Sequence, residues 1–453
     1  MAIEGSYRTF TTPGGAAIPW YVIPFDETGR CKAPVTREYL LKTLRSETFS
    51  HVFLFSHGWN NDWADATERY QDFIKGFGEM ADRQGLSKSA DYKPLLIGVF
   101  WPGISLVLPW ERAPQFAGGA APAPVDADRF ADEHDRTVTA IAAQLPEPKV
   151  ARFYELASAE TLTDAEAEEL AALVLPLMAP SDEGGGEPLD AKDLVGAWKL
   201  AAAETSAAGA AFDVPDDESF GTSAPVPGAA PQAASWLGVL DPRNPLRLAT
   251  VWQMKDRAGT VGFAGVHDLV VDVLGATAAH VHLIGHSYGA KVMLSACAAG
   301  TLPRPVTSAL LLQPAVSYLC FAVDADGQKH PGGYRGVLDP GRVVQPILAT
   351  FSGRDVALAR LFHFAVRRKS DVGEQRIAAG PPSRFAALGG YGAGGLAAGE
   401  SRQVSAALEG DTYGSVPAGV RVVSIDGSAR IAGHGDVSSI TTWWMLCDQV
   451  KRS

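Results

Sequence analysis

His280-Val281-His282-Leu283-Ile284-Gly285-His286-Ser287-Tyr288-Gly289-Ala290 is the stretch on which the reading of this 453-residue chain turns. A short apolar strand runs into Gly-x-Ser-x-Gly, and Ala290-Lys291-Val292-Met293-Leu294-Ser295-Ala296 continues as a helix. A serine at such a strand–turn–helix junction sits on a tight, strained turn that lifts its hydroxyl clear of the sheet. Side chains at Gly285 or Gly289 would crowd the backbone where strand and helix close on each other. Gly-x-Ser-x-Gly alone arises by chance in many proteins. The flanking strand and helix are what give this copy its weight.

Outward from the junction, strands and helices alternate. Residues 7–12 and 20–25 read as a strand pair around Pro13-Gly14-Gly15, and 37–44 as a short helix. His51-Val52-Phe53-Leu54-Phe55-Ser56 has the continuous apolar character of a strand buried on both faces, and it ends in His57-Gly58-Trp59-Asn60-Asn61-Asp62. Residues 64–82 carry helical spacing through Tyr70, Phe73, Ile74 and Phe77. Leu95-Leu96-Ile97-Gly98-Val99-Phe100 is a second buried strand, ending at Trp101-Pro102-Gly103. Residues 261–274 read as a helix before the elbow. Beyond it, 308–313, 343–351 and 420–425 read as strands, 367–400 as a long loop with a little helix, and 437–450 as a closing helix. This alternation implies an α/β protein with a mostly parallel sheet covered on both faces.

Between about 104 and 250 the strand-forming runs vanish, and Ala, Pro, Asp and Glu dominate. Residues 135–154, 164–177 and 191–208 read as helices with acidic starts. Ser181-Asp182-Glu183-Gly184-Gly185-Gly186 and the Pro/Ala/Gly-rich 214–234 read as loops. The expected organisation is a core of 1–103 and 251–453, interrupted by a helical Ala/Pro-rich insertion at 104–250 that is a lid candidate.

The net charge of −12 disfavours nucleic acid and anionic membrane surfaces as partners. The start lacks a signal-peptide pattern, and no apolar run is long enough to span a bilayer. Cys31, Cys297, Cys320 and Cys447 are scattered without a CxxC pair, as thiols in a reducing compartment are. The expectation is a cytoplasmic protein with a small-molecule partner and no stable membrane insertion.

A serine hydroxyl is a poor nucleophile unless a base takes its proton, a third group orients the base, and donors await the oxyanion. The chain supplies them in the order serine, acid, histidine. Ser287 is the candidate nucleophile, Asp355 lies just beyond a later strand, and His434 follows the last strand within Gly433-His434-Gly435-Asp436. Asp436 fits the N-cap of the closing helix, which leaves His434 for chemistry. Asp324 and Asp326 beside Gly327 read as an exposed turn, Asp426 as a strand-end turn residue, and Arg354 as an exposed neighbour. The backbone N–H groups of Trp59 and Tyr288 are the candidate oxyanion donors, with His57 bracing the loop.

His280, His282 and His286 alternate onto one strand face, but no carboxylate or cysteine spacing completes a zinc site. No metal and no other cofactor is called for. Trp59, Trp63, Trp101 and Trp110, with His57, Gly58 and His286, outline a candidate pocket that is apolar and lacks a charged anchor. Ordinary core packing is the alternative for the indoles.

Through His57-Gly58-Trp59, Gly285-His286-Ser287-Tyr288-Gly289, Asp355 and His434, the chain resembles the α/β-hydrolase superfamily of serine esterases and lipases. The resemblance covers roughly 1–103 and 251–453. Ser56-His57-Gly58-Trp59-Asn60-Asn61-Asp62 with Phe100-Trp101-Pro102-Gly103 looks like a poorly characterised bacterial branch of that superfamily. It implies an α/β-hydrolase fold with about eight strands and helices on both faces. It also implies no metal, and cleavage of a small, apolar carboxylic ester through an acyl-enzyme on Ser287, His434 and Asp355. The insertion follows the fourth strand, whereas many members carry a lid after the sixth, so no substrate carries over from lidded relatives. Dehalogenase and epoxide-hydrolase relatives use an aspartate nucleophile, against which Ser287 argues. The alternatives are an acyltransferase or thioesterase on the same triad, a lipase with the insertion as lid, and a non-catalytic binding module. The insertion shows no Trp- or Leu-rich amphipathic face with basic residues, which weighs against interfacial binding.

Overall fold

Runs such as Val52-Phe53-Leu54-Phe55 offer apolar side chains to both sides of a strand, so they are stable only inside a sheet covered on both faces. The computed structural model describes residues 5–58, 61, 63–89, 91–103, 138–139, 141–159, 161–177, 190–192, 195, 254–355, 358 and 386–453. Its strands are β1 (Arg8–Thr11), β2 (Ala17–Pro24), β3 (His51–Ser56), β4 (Pro94–Phe100), β5 (His280–His286), β6 (Ser308–Leu312), β7 (Ile347–Phe351), β8 (Ser401–Ser405) and β9 (Val422–Asp426). They form one nine-stranded sheet in the order β1-β2-β4-β3-β5-β6-β7-β9-β8. β1 runs antiparallel to β2, and the remaining pairings are parallel. The carboxyl ends of β3 through β7 and β9 therefore share one edge, where ligand sites of open α/β sheets lie.

The ninth strand is a correction to the expected eight. β8 is Ser-Arg-Gln-Val-Ser, largely exposed, at the end of the sheet. An edge strand with one side in water needs no apolar run, so hydropathy gives no sign of it.

Helices cover both faces. On one lie α1 (Pro34–Ser46), α5 (Met254–Ala276) and α6 (Tyr288–Ala298). Leu40, Val270, Val273 and Val292 from them pack with Val52, Leu54, Ile97 and Leu283. On the other lie α2 (Trp63–Arg83) and α7 (Ile440–Lys451), whose Tyr70, Phe73, Phe77 and Leu446 pack with Phe53, Phe55, Leu96 and Ile284. Each fully buried aliphatic or aromatic side chain contributes about 1.5–3 kcal/mol. Within α5, one turn is a π-helix at Gly262–Val266, and Gly262 lets that turn approach Val292 and Ser295 of α6 more closely than any Cβ would allow.

A separate apolar cluster joins Val138, Ile141, Phe153, Leu156, Leu170 and Val174. It involves α3 (Glu147–Ala157) and α4 (Asp164–Val174). The sequence reading of one helix over 135–154 is corrected: α3 starts at Glu147, with Pro146 at its N-cap. A proline inside a helix removes a donor and clashes with the preceding turn. α4 opens on a Thr163–Glu166 capping box. The loops read at 181–186 and 214–234 lie outside the described residues, as does most of the helix read at 191–208. Among the described residues, α5 is the one helix long and apolar enough to cross a membrane, and half of it is buried inside the protein, as in a core helix. Cys297, Cys320 and Cys447 are buried and Cys31 is half-buried.

At the amino ends of β3 and β5, His51 Nδ1 meets His282 Nε2 at 3.1 Å, and His282 Nδ1 meets Ser308 Oγ at 2.8 Å. Two facing imidazolium ions would repel each other in a buried site. Burial and the neighbouring His280 hold His51 down at about 4. Burial, then the charges of His51 and His280, put His282 well below the ordinary 6.5. Both rings are neutral when folded, whereas the unfolded chain takes up protons below about 6.5. Stability is thus fully present above that pH and is lost as pH falls towards 4, by up to about 1.4 kcal/mol per pH unit for each ring. Urea midpoints are expected to fall between pH 7 and pH 5, less steeply in His51→Asn. A profile as steep in the variant as in the wild type would remove these rings as the cause.

Candidate active site

Ser287 directly follows β5 and directly precedes α6, with φ 54° and ψ −124°. A non-glycine residue held there costs on the order of 1–3 kcal/mol. Its N–H donates to Leu312 O (3.0 Å), and its carbonyl accepts from Ala290 N (3.1 Å) and Ala315 N (3.2 Å). A Cβ at Gly285 would lie 2.5 Å from Ala290 Cα, and one at Gly289 would overlap the carbonyls of Ser56 and His57. A Cβ at Gly58 would lie 2.7 Å from Ser287 Cβ, so the loop after β3 closes directly over the serine.

The structure brings Ser287, His434 and Asp355 together. His434 Nε2 lies 2.8 Å from Ser287 Oγ, and His434 Nδ1 lies 2.8 Å from Asp355 Oδ2. Asp355 is completely buried and takes the Leu358 N–H on its other oxygen at 3.0 Å. A carboxylate accepting from Nδ1–H leaves Nε2 with its lone pair towards the serine hydroxyl. Ser352, at the start of the acid turn, donates its hydroxyl to Ile431 O at 3.1 Å, which ties that turn to the start of the histidine loop.

The histidine loop is clasped from several elements. His286 Nε2 donates to His434 O at 2.8 Å. Gln313 Nε2 donates to Gly433 O (3.2 Å) and Asp436 O (3.1 Å). Arg69 of α2 reaches Gly435 O at 3.4 Å. Gln313 is itself buried with φ 39°, its N–H held by Thr350 Oγ1 at 2.7 Å. The capping role read for Asp436 is corrected. The loop folds back on itself, so the Asp436 carboxylate takes Ala432 N–H at 3.0 Å, and Ser439 caps α7 in a capping box with Thr442.

The loop after β3 is braced from below. His57 is completely buried; its Nδ1 donates to Gly58 O (2.7 Å), and its Nε2 accepts from Trp101 N (3.2 Å). Trp101 stacks on it with ring centroids 5.4 Å apart and donates Nε1–H to His57 O at 3.1 Å. The Tyr70 hydroxyl accepts from His57 N (3.1 Å) and donates to Val99 O (2.6 Å). Asn61 Nδ2 adds a second donor on Gly58 O at 3.2 Å. Burial pushes His57 down to about 4, so it is a neutral strut. His286 is also held neutral, by burial first and the Arg69 charge second.

The candidate pocket residues separate on this geometry. Trp101 is fully buried and braces the loop rather than walling a pocket. Trp63 is exposed, edge-on to Phe100 at 5.0 Å and to Tyr7 at 6.1 Å. Trp59 and Trp110 lie outside the described residues. Tyr288 is buried at the first position of α6, beside Ser287 and at the positive end of the helix dipole. Asp324, Asp326 and Asp426 accept backbone N–H groups in their own turns. Among the described residues, no three His, Cys, Asp or Glu side chains are grouped to hold a metal ion. Sequence reasoning missed Gln313, Arg69, Tyr70 and Asn61. Gln313 left a mark as the polar end of an apolar strand run, and Asn61 as a member of the segment that follows β3, without a role of its own.

No family model, curated protein or solved structure matches the chain.

Gln313→Leu keeps the bulk of the side chain but strips Gly433 O and Asp436 O of their side-chain donor. The expected loss of stability is about 1–3 kcal/mol, with faster amide exchange across 431–437. Unchanged exchange there would show that the clasp does not hold the loop.

Proposed function

We propose that the chain is a serine hydrolase of the α/β-hydrolase type that cleaves carboxylic esters through an acyl-enzyme. The observation that carries this reading is the continuous chain of 2.8 Å contacts from Ser287 Oγ through His434 to a buried Asp355, built on a strained serine backbone. A histidine or aspartate serving structure alone needs no aim at a serine hydroxyl. The sheet supports the fold reading, since the serine follows β5, the acid β7 and the histidine β9, all on one edge of a sheet whose first strand is antiparallel.

In this mechanism His434 takes the Oγ proton as Ser287 attacks the ester carbonyl, and Asp355 steadies the imidazolium. The oxyanion is received by the Tyr288 N–H and, on the sequence reading, by that of Trp59. His434 protonates the departing alcohol and then activates water to release the acid. His57 and His286 stay neutral throughout and act on the loops they hold.

Ser287→Ala is expected to abolish turnover of p-nitrophenyl butyrate and labelling by a fluorophosphonate probe. Asp355→Asn is expected to lower kcat by about 10³–10⁴, because the imidazole loses the group that selects its tautomer. Wild-type rates in the serine variant would refute the assignment.

A further inference from the structure

The sequence reading finds no charged anchor at the site, yet the fold brings one there. Arg69 lies in the second turn of α2, and its guanidinium sits between the two loops that carry the chemistry. Nε donates to Asn61 Oδ1 at 3.2 Å, and Asn61 in turn bonds Gly58 O. Nη1 reaches Gly435 O at 3.4 Å, next to His434. Both acceptors are neutral, and the Gly435 contact is a long one on the exposed side.

A guanidinium has five N–H donors in a planar fork, and these two contacts leave most of them unused. Among the described residues Arg69 makes no ion pair; burial works against its charge first, and Asp65, Asp72 and Glu68 of its own helix favour it. Its charge nevertheless reaches the site, since it helps hold both His286, next to Ser287, and His57, next to Gly58, in their neutral forms. A cation that merely joined two loops would be served as well by a neutral amide. The fork geometry instead suits a carboxylate, which arginine binds through paired N–H donors. With a net charge of −12 the protein repels anions at long range, so an anionic substrate requires such a local cation.

We propose that Arg69 binds a carboxylate carried by the substrate, so that the preferred ester is one half of a dicarboxylic acid or bears a comparable acidic group near the scissile bond. This rests on Ser287 acting as the nucleophile. The test compares kcat/KM for mono-p-nitrophenyl glutarate with that for p-nitrophenyl pentanoate, which has the same acyl length and no charge. The wild type is expected to favour the glutarate ester by about tenfold or more, with the preference shrinking in about 0.5 M NaCl. Arg69→Gln is expected to bring the ratio close to one, chiefly by raising KM for the glutarate ester, and Arg69→Lys to restore part of it. A wild-type preference for the neutral ester, or an equal loss on both esters in Arg69→Gln, would overturn the proposal and leave Arg69 as a loop tie. Fluorophosphonate labelling of Ser287 reports separately on the nucleophile. Labelled protein without a glutarate preference defeats the Arg69 role alone, whereas absence of labelling defeats the hydrolase reading and this inference with it.

Discussion

Ser287 holds a backbone conformation that side chains avoid, and nothing in its own local sequence could keep it there. The strain is offset by contacts from other elements: Leu312 at the end of β6 accepts its N–H, and Ala315 beyond that strand donates to its carbonyl. α6 closes so tightly on the end of β3 that Gly289 has no room for a Cβ against Ser56 and His57. β3, β5, β6 and α6 are thereby locked at one point. Because all three strands are parallel, that point lies on the edge where β7 and β9 also end.

The polar groups around this point divide by partner rather than by residue type. His57 and His286 donate to backbone carbonyls, and burial keeps them uncharged, so they behave as rigid struts. His434 meets a carboxylate on one nitrogen and a hydroxyl on the other, the arrangement in which a ring can exchange a proton. Its loop has little apolar content of its own and is positioned by donors from β5, the residue after β6, and α2. Such a network is stable only when nearly complete, since each buried carbonyl left without a donor costs about 1–3 kcal/mol.

Two oppositely facing helical layers are what make that network possible. α2 supplies Tyr70 and Arg69 to the loops above it while Phe73 and Phe77 pack on the sheet beneath. Gly98 of β4 leaves space for the Tyr70 ring, so its hydroxyl arrives between His57 N and Val99 O. One helix thus serves the core on one stripe and the site near its amino end.

Much of this was legible in the chain itself. Buried strands announce themselves through uninterrupted apolar runs, and β3, β4, β5 and β6 lie within a residue or so of where those runs place them. The Gly-x-Ser-x-Gly frame, an aspartate after a later strand and a glycine-flanked histidine near the end could be named from local pattern, because each demands a residue type in a recognisable backbone setting. The edge strand β8, the true cap of α7 at Ser439, the burial of Trp101 and the arrival of Gln313 and Arg69 at the histidine loop could not. The arrival of Gln313 and Arg69 depends on contacts across 120 and 366 positions, and the others on which neighbours the fold supplies, about which composition and periodicity carry no information. Sequence by itself determined the elements and the types of residue at the site. Tertiary structure alone decided which of them touch, because hydrogen bonds and charges act over a few ångströms of space and are indifferent to distance along the chain.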